Sequence, residues 1–179
     1  MVNYFLFFVQ SLYLKFFTVL LYQLVATRDG MRAANRYILP VPKEALPKID
    51  RTTSPAHIGK LKNAVDFVVD EGTPVLASAE GVVMYVSDGS YTGGPSIEYW
   101  HASNFIVIQH DRGEYTRYDH LAYKSARVIP GQHVKSGQVI ASVGTTGFTY
   151  TPHLHFQVFV FTGSNIWTDF ETLEVDSFS

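Results

Sequence analysis

No cysteine occurs anywhere in the 179 residues. Disulfides and thiolate metal ligands are therefore excluded, and the redox compartment stays open. Any metal this chain holds must rest on imidazole and carboxylate. A basic surplus is missing too. The 14 Lys and Arg stand against 16 Asp and Glu, a formal net charge of −2. Nothing is left over to neutralise phosphates, so no nucleic acid is expected as a partner. Charged residues are only 17% of the chain against 46% hydrophobic. That balance excludes a disordered chain and fits a globular or membrane-attached one. No His-Glu-x-x-His pattern is present, so a helical site with a glutamate base is excluded as well.

What is present starts with one long apolar run, Tyr4 to Ala26, interrupted by a single charge at Lys15. As a helix it would be roughly 34 Å long, enough to cross a hydrocarbon layer of about 30 Å. Lys15 would cost about 2.5–3.5 kcal/mol, while each Phe, Leu or Val returns about 0.3–0.6. The sum favours insertion. Gln10, Ser11, Lys15, Thr18 and Tyr22 share one helical face, which suits a partner helix or the folded domain. Residues 1–39 are thus expected to form an N-terminal apolar helix with a membrane anchor through residues 4–26. The alternative is a helix lying on the domain. No positive segment precedes the run and no small-x-small site follows it, so a cleavable signal peptide is not expected. Arg28, Arg32, Arg36 and Lys43 follow the run. Such charges favour the cytoplasmic side.

Pro40, Pro42, Pro47 and Pro55 then mark residues 40–56 as a linker or edge segment, because proline blocks regular helix. From Asp66 onward, short β-branched runs alternate with turn residues: "DFVVDEG", "GVVMYVSDG", "NFIVIQHDRG", "HVKSGQVIASVG". Residues 57–179 therefore read as a mainly β domain, a sandwich or barrel. A long glycine-bearing loop, "SDGSYTGGPSIEYWHAS", interrupts it. Loops of that length are either functional or tolerated surface insertions.

Chemistry concentrates in seven histidines. In "TPHLHFQVFV", His153 and His155 lie one residue apart in an alternating run, so in a strand they share a face. A catalytic zinc site needs three protein ligands and an open position. His57 and Asp66 in "SPAHIGKLKNAVDFVVDEGTPV", His120 in "TRYDHLAY" and the His-x-His pair are the available donors and acid–base groups. His110 ends a strand before a "DRG" turn and reads as structural. His133 in "PGQH" reads as solvated.

Four segments, "DEGTPVLASAEGVV", "IVIQHDRGEYTRYDHL", "GQHVKSGQVIASVGTTG" and "PHLHFQV", resemble in order and spacing the lysostaphin-type zinc metallopeptidases over about residues 54–162. The resemblance implies an antiparallel β-sheet groove of barrel-sandwich hybrid type and peptide hydrolysis, usually of peptidoglycan cross-bridges or glycine-rich peptides. It implies one Zn2+ held by His57, Asp66 and His155, with His120 and His153 catalytic. Tyr118 and His101 are weaker candidates for substrate contact. Family habit puts such a domain outside the cytoplasm, against the charge pattern after the apolar run. This chain departs from the family in three places. His57 and Asp66 are nine residues apart rather than four, with Lys62 at the usual histidine position. Thr151 replaces a glycine, and Gln157 stands where glutamate is common. Two rival readings remain: a non-catalytic scaffold of the same fold, and a lipoyl- or biotinyl-like carrier suggested by the Gly and Val positions of "GTPVLASAEGVV". Lys135 in "VKSGQ" lies in no carrier motif, and a carrier has no use for His-x-His.

Overall fold

The computed structural model describes residues 31–52, 57–165 and 167–179. The apolar run at residues 4–26, with its expected helix and anchor, lies outside the described residues. Among the described residues no helix is long and apolar enough to cross a membrane.

The domain is mainly β, as the short alternating runs predict. In chain order its strands are β1 (Lys48–Asp50), β2 (Val65–Val68), β3 (Pro74–Leu76), β4 (Gly81–Ser87), β5 (Gly93–Gly94), β6 (Phe105–Gln109), β7 (Glu114–Asp119), β8 (His133–Val134), β9 (Val139–Ser142), β10 (Gly147–Phe148), β11 (Leu154–Phe161) and β12 (Phe170–Leu173). The large sheet runs β1-β2-β11-β7-β6-β4-β8, with β12 also on β11. Every pairing in it is antiparallel. A second antiparallel pair joins β3 to β9, while the short pair β5 and β10 is parallel.

Period-two alternation divides the large sheet into a core face and a groove face. Val65 and Phe67 of β2, Leu154, Phe156 and Val158 of β11, Tyr118 of β7 and Ile106 and Ile108 of β6 are all buried on the core face. Each contributes about 1.5–3 kcal/mol by leaving water. The other face carries Asp66, His155, Gln157, Phe159, Asp119, Arg117 and Tyr115, set opposite one another by register. β11 is nearly buried throughout because both faces are covered, one by the core and the other by Trp167, Phe170 and the neighbouring aromatics.

The sequence predicts a linker or edge segment over residues 40–56, and their described part, residues 40–52, is the latter: β1 pairs with β2 at the edge of the sheet, and Val41 is buried. The preceding stretch is fastened as well, since the buried Glu114 carboxylate accepts hydrogen bonds from Ala34 N, Asn35 N, Asn35 Nδ2 and Tyr37 Oη at 2.6–3.2 Å. The prolines of residues 40–52 exclude a regular α-helix but leave room for a 3-10 turn at Lys43–Ala45 and for edge pairing. Tyr118 does not line the groove. It is wholly buried against Phe156, and its hydroxyl accepts from Ser78 N. The two-residue step from Tyr118 to His120 does not preserve the face, because His120 leaves the strand at φ 62, in the left-handed region.

Candidate metal centre and groove

Three chain segments deliver the polar side chains. Asp66 of β2 stands opposite His155 of β11 in the ladder, so strand pairing alone brings Asp66 Oδ1 within 2.9 Å of His155 Nδ1. His57 reaches the same point from outside the sheet. Gly59 turns the chain at φ 57 into a 3-10 turn, Gly59–Leu61, a conformation glycine adopts without penalty. The intervening residues bulge outward with Lys60 and Lys62 exposed. His57 Nε2 then lies 3.1 Å from Asp66 Oδ1 and 3.4 Å from His155 Nδ1. The nine-residue spacing therefore closes on one point.

The donor set has the character of a metal centre. His57 Nδ1 lies 3.1 Å from the Thr52 carbonyl. A carbonyl only accepts, so Nδ1 carries the proton and Nε2 turns its lone pair inward. That lone pair meets a carboxylate oxygen and a second ring nitrogen. Three electron-rich atoms converge there, within 4.8 Å of one another, and the convergence is favourable only with a proton or a cation among them. The charge pattern records this strain. The hydrogen bond to Asp66 raises the His57 pKa above the usual histidine value, against burial. Burial pushes the Asp66 carboxyl up, but the hydrogen bonds of His155 and His57 outweigh it and hold Asp66 well below the carboxylate range. Two imidazoles and a carboxylate suit zinc.

His120 and His153 stand beside this cluster with ring centroids 4.6 Å apart. His120 Nδ1 donates to the Thr146 carbonyl at 2.7 Å. His153 Nδ1 faces the Thr151 carbonyl at 2.8 Å. By the same reasoning both rings carry the Nδ1 proton and leave Nε2 as the basic atom, and His153 Nε2 points to the centre, 3.7 Å from Asp66 Oδ1. Burial, reinforced by the neighbouring His153, pushes the His120 pKa down to about 4, so at neutral pH the ring is uncharged. Its strained backbone is tied in place by a hydrogen bond from His120 N to Ser103 Oγ, which itself donates to Asp119 Oδ1.

A groove of about 190 Å³ runs past these groups. His120, His155, Asp119, Arg117, Ser103 and Gln157 form its polar lining, and Trp100, Phe148, Trp167 and Phe170 its aromatic walls. Arg117, Asp119 and Ser103 did not emerge from the sequence, although "TRYDH" places Arg117 and Asp119 on one face by simple alternation. Trp100 comes from the long loop, on a 3-10 turn at Ile97–Ala102, and its ring lies 6.4 Å from Phe148. The loop thus builds a groove wall. His101, on the same turn, is exposed and does not line the groove. A larger cavity, about 810 Å³, opens beside His110, Glu80 and His133, at the other end of β6 and away from the centre. There His110 is structural, held between the Glu80 carbonyl at 2.6 Å and Thr116 Oγ1 at 2.8 Å.

Comparison with known proteins identifies the family. The sequence model of Peptidase family M23 matches residues 60–166, which takes in Asp66, His120, His153 and His155 and begins three residues after His57. Peptidoglycan DD-endopeptidase ShyA of Vibrio cholerae is 39% identical over 98 residues, 55% of this chain and 20% of that protein. Lysostaphin of Staphylococcus simulans is 36% identical over 107 residues, 60% of this chain and 20% of that protein. The chain therefore spans about a fifth of the length of these two relatives. Among solved structures, a zinc-containing peptidase from Vibrio cholerae superposes with a TM-score of 0.50 at 36% identity, over 72% of this chain and 37% of that one. The catalytic domain of lysostaphin from Staphylococcus simulans gives 0.51 at 29%, over 71% and 89%.

Proposed function

The chain belongs to peptidase family M23, and we propose that within it the chain is a zinc-dependent endopeptidase acting on peptidoglycan-type or glycine-rich peptides. The observation that carries the reading is the convergence of five side chains. His57, Asp66 and His155 meet at one point, and His120 and His153 flank it. A scaffold that had lost hydrolysis would have no need to keep all five.

His57, Asp66 and His155 would hold the zinc. When bound it supplies Lewis acidity toward a water and a scissile carbonyl, lowering the water's pKa to about 7. The other roles belong to the chain's own residues. His153 Nε2, the basic atom nearer the cluster, takes a proton from the attacking water. His120, kept neutral by burial with its Nδ1 proton on the Thr146 carbonyl, accepts a hydrogen bond from that water at Nε2 and orients it. The proton then passes to the leaving amine. Thr146 and Thr151 fix both rings through their backbone carbonyls, so replacing a glycine by Thr151 leaves that contact intact.

Two measurements on the purified protein test the reading together. It should bind one equivalent of zinc, and it should cut cross-linked peptidoglycan fragments in a reaction stopped by chelator. Full zinc with no cleavage of any cross-linked or glycine-rich peptide would favour the scaffold. We further place the domain on the outer side of a membrane through residues 4–26, since a wall substrate lies there. Protection from added protease in intact spheroplasts would reverse that placement.

A further inference from the structure

We propose that Arg117 forms a carboxylate-binding subsite in the groove floor, which selects peptides bearing a free carboxylate on the residue joined to the scissile bond. This rests on the peptidase reading of the neighbouring centre.

Three contacts fix the guanidinium. Its Nε and Nη2 donate to Asp119 Oδ2 and Oδ1 at 2.7 and 2.8 Å, a two-bond fork. One face lies over the Phe105 ring, 4.2 Å from its centroid. Asp119 keeps its charge beneath the fork: burial pushes the carboxyl up, and Arg117 pulls it below the ordinary carboxylate range. A guanidinium held on one edge and one face has already lost the freedom that an arginine gives up on binding.

One edge is left open. Nη1 has no hydrogen-bond partner among the described residues, and no buried side-chain nitrogen or oxygen there lacks one, so the Nη1 edge is open to solvent. The side chain keeps 27% of its exposure, and it lines the groove together with His155 and His120. Were neutralising Asp119 its whole purpose, Arg117 would need no opening into the groove.

The spacing fits a substrate carboxylate. Arg117 stands opposite Gln157, one pleat along from the Asp119–His155 pair, so it lies about 7 Å along the strand from the metal level. A carboxylate on the carbon bonded to the scissile amide nitrogen has its oxygens roughly 3–3.5 Å from that nitrogen, and a hydrogen bond of about 2.9 Å brings the reach to a donor to roughly 6 Å, of the same order. Gln157, 4% exposed and beside it in the floor, adds a neutral amide where a glutamate would repel an anion. A bond to a terminal or branching amino acid carries such a carboxylate; the interior of a polyglycine strand does not.

The test uses two synthetic D-alanyl peptides identical except that the carboxyl beside the scissile amide is free in one and amidated in the other. The zinc-loaded wild-type protein should favour the acid by about 10–100-fold in kcat/KM, the scale of one charge-assisted hydrogen-bonded pair. Arg117→Gln should bring the ratio close to one, and Arg117→Lys should retain part of it. Because Arg117→Gln strips Asp119 of its partner, an Arg117→Gln/Asp119→Asn protein checks the same ratio with no stranded charge. A wild-type ratio of one or below overturns the proposal without any variant. So does an unchanged ratio in the Arg117 variants. If neither peptide is cut, the hydrolase reading fails separately, and calorimetric binding of the same pair decides. A preference for the acid that Arg117→Gln abolishes sustains the subsite, and equal binding overturns it.

Discussion

Replacing His57 by alanine is the sharpest test of the metal centre, because His57 lies before the segment matched by the family model and nine residues from Asp66. In the structure its Nε2 is 3.1 Å from Asp66 Oδ1 and 3.4 Å from His155 Nδ1, so its removal leaves one imidazole and one carboxylate. Four-ligand structural zinc sites bind with about 10–16 kcal/mol, or about 2.5–4 kcal/mol per ligand. Losing His57 should therefore weaken zinc by at least about 10²-fold. The Thr52 carbonyl on Nδ1 adds to the loss, because a ring so oriented is a better ligand. Competition against a chromogenic chelator at pH 7 measures the change directly. Because the His57 side chain is almost fully buried, the metal-free melting temperature must be recorded alongside, so that a folding defect is not mistaken for a lost ligand. A His57→Ala protein that folds and holds zinc within about threefold of wild type would falsify the assignment and open the third position to another group.

Other outcomes follow from the same contacts. His120→Ala and His153→Ala should keep a full equivalent of zinc and lose about 10²–10⁴ in kcat, measured by single-peptide turnover. Ser103→Ala should keep zinc yet reduce kcat about tenfold, because the backbone N–H of the strained His120 loses its acceptor. Glu114→Gln presents an amide N–H₂ where Ala34 N now donates at 2.6 Å. It should cost about 2 kcal/mol, or about 4–8 °C in melting temperature, without altering zinc binding. In the zinc-free protein, His57 has a raised pKa, so its stabilisation is complete below about 6.5 and is lost as pH rises through the folded value. Asp66 is depressed, so its contribution is present above about 4 and is lost as pH falls toward the folded value. Calorimetry should therefore show zinc raising the melting temperature more at pH 8 than at pH 6. His120, pushed down to about 4, should show no NMR titration between pH 6 and 8 in that same protein.

Strand parity in the sequence puts His153 and His155 on one face. That Asp66 and His155 share one point is implied only by the family resemblance, and the structure supplies the reason: β11 and β2 pair antiparallel and set the two opposite each other. Tyr118 was misjudged for a backbone reason. Parity holds only while the chain stays extended, and His120 leaves the extended region at φ 62. The proline-rich stretch reads as a linker or edge segment, and β1 settles on the edge. Nothing in the local pattern of residues 34–37 announces their tie to Glu114, nearly 80 residues away in sequence. Arg117 and Asp119 went unnoticed because a charged pair in a β-strand reads as solvent-facing until the opposite wall is known, and that wall comes from Trp167 and Phe170.

The His-x-His pair shows how one strand end supports two different tasks. His155 lies inside the ladder, opposite both Asp66 and Asp119. Its backbone is fixed from two sides, and the ring can hold a ligand position with little motion. His153 lies just before β11 begins. No ladder holds it, and its orientation comes from the Thr151 carbonyl and the Thr149 hydroxyl. A metal ligand needs a rigid backbone, and a proton-transfer group needs a fixed tautomer with some freedom of approach. The two-residue step supplies both on one face. Exchanging the settings should therefore damage different steps. Loosening the ladder at His155 should weaken zinc binding, whereas Thr149→Val, which removes a hydroxyl 3.2 Å from His153 Nδ1, should leave zinc affinity unchanged and lower kcat by a few-fold. Equal losses of zinc and turnover in Thr149→Val would mean that the two histidines act as a single unit and that the division of tasks is wrong.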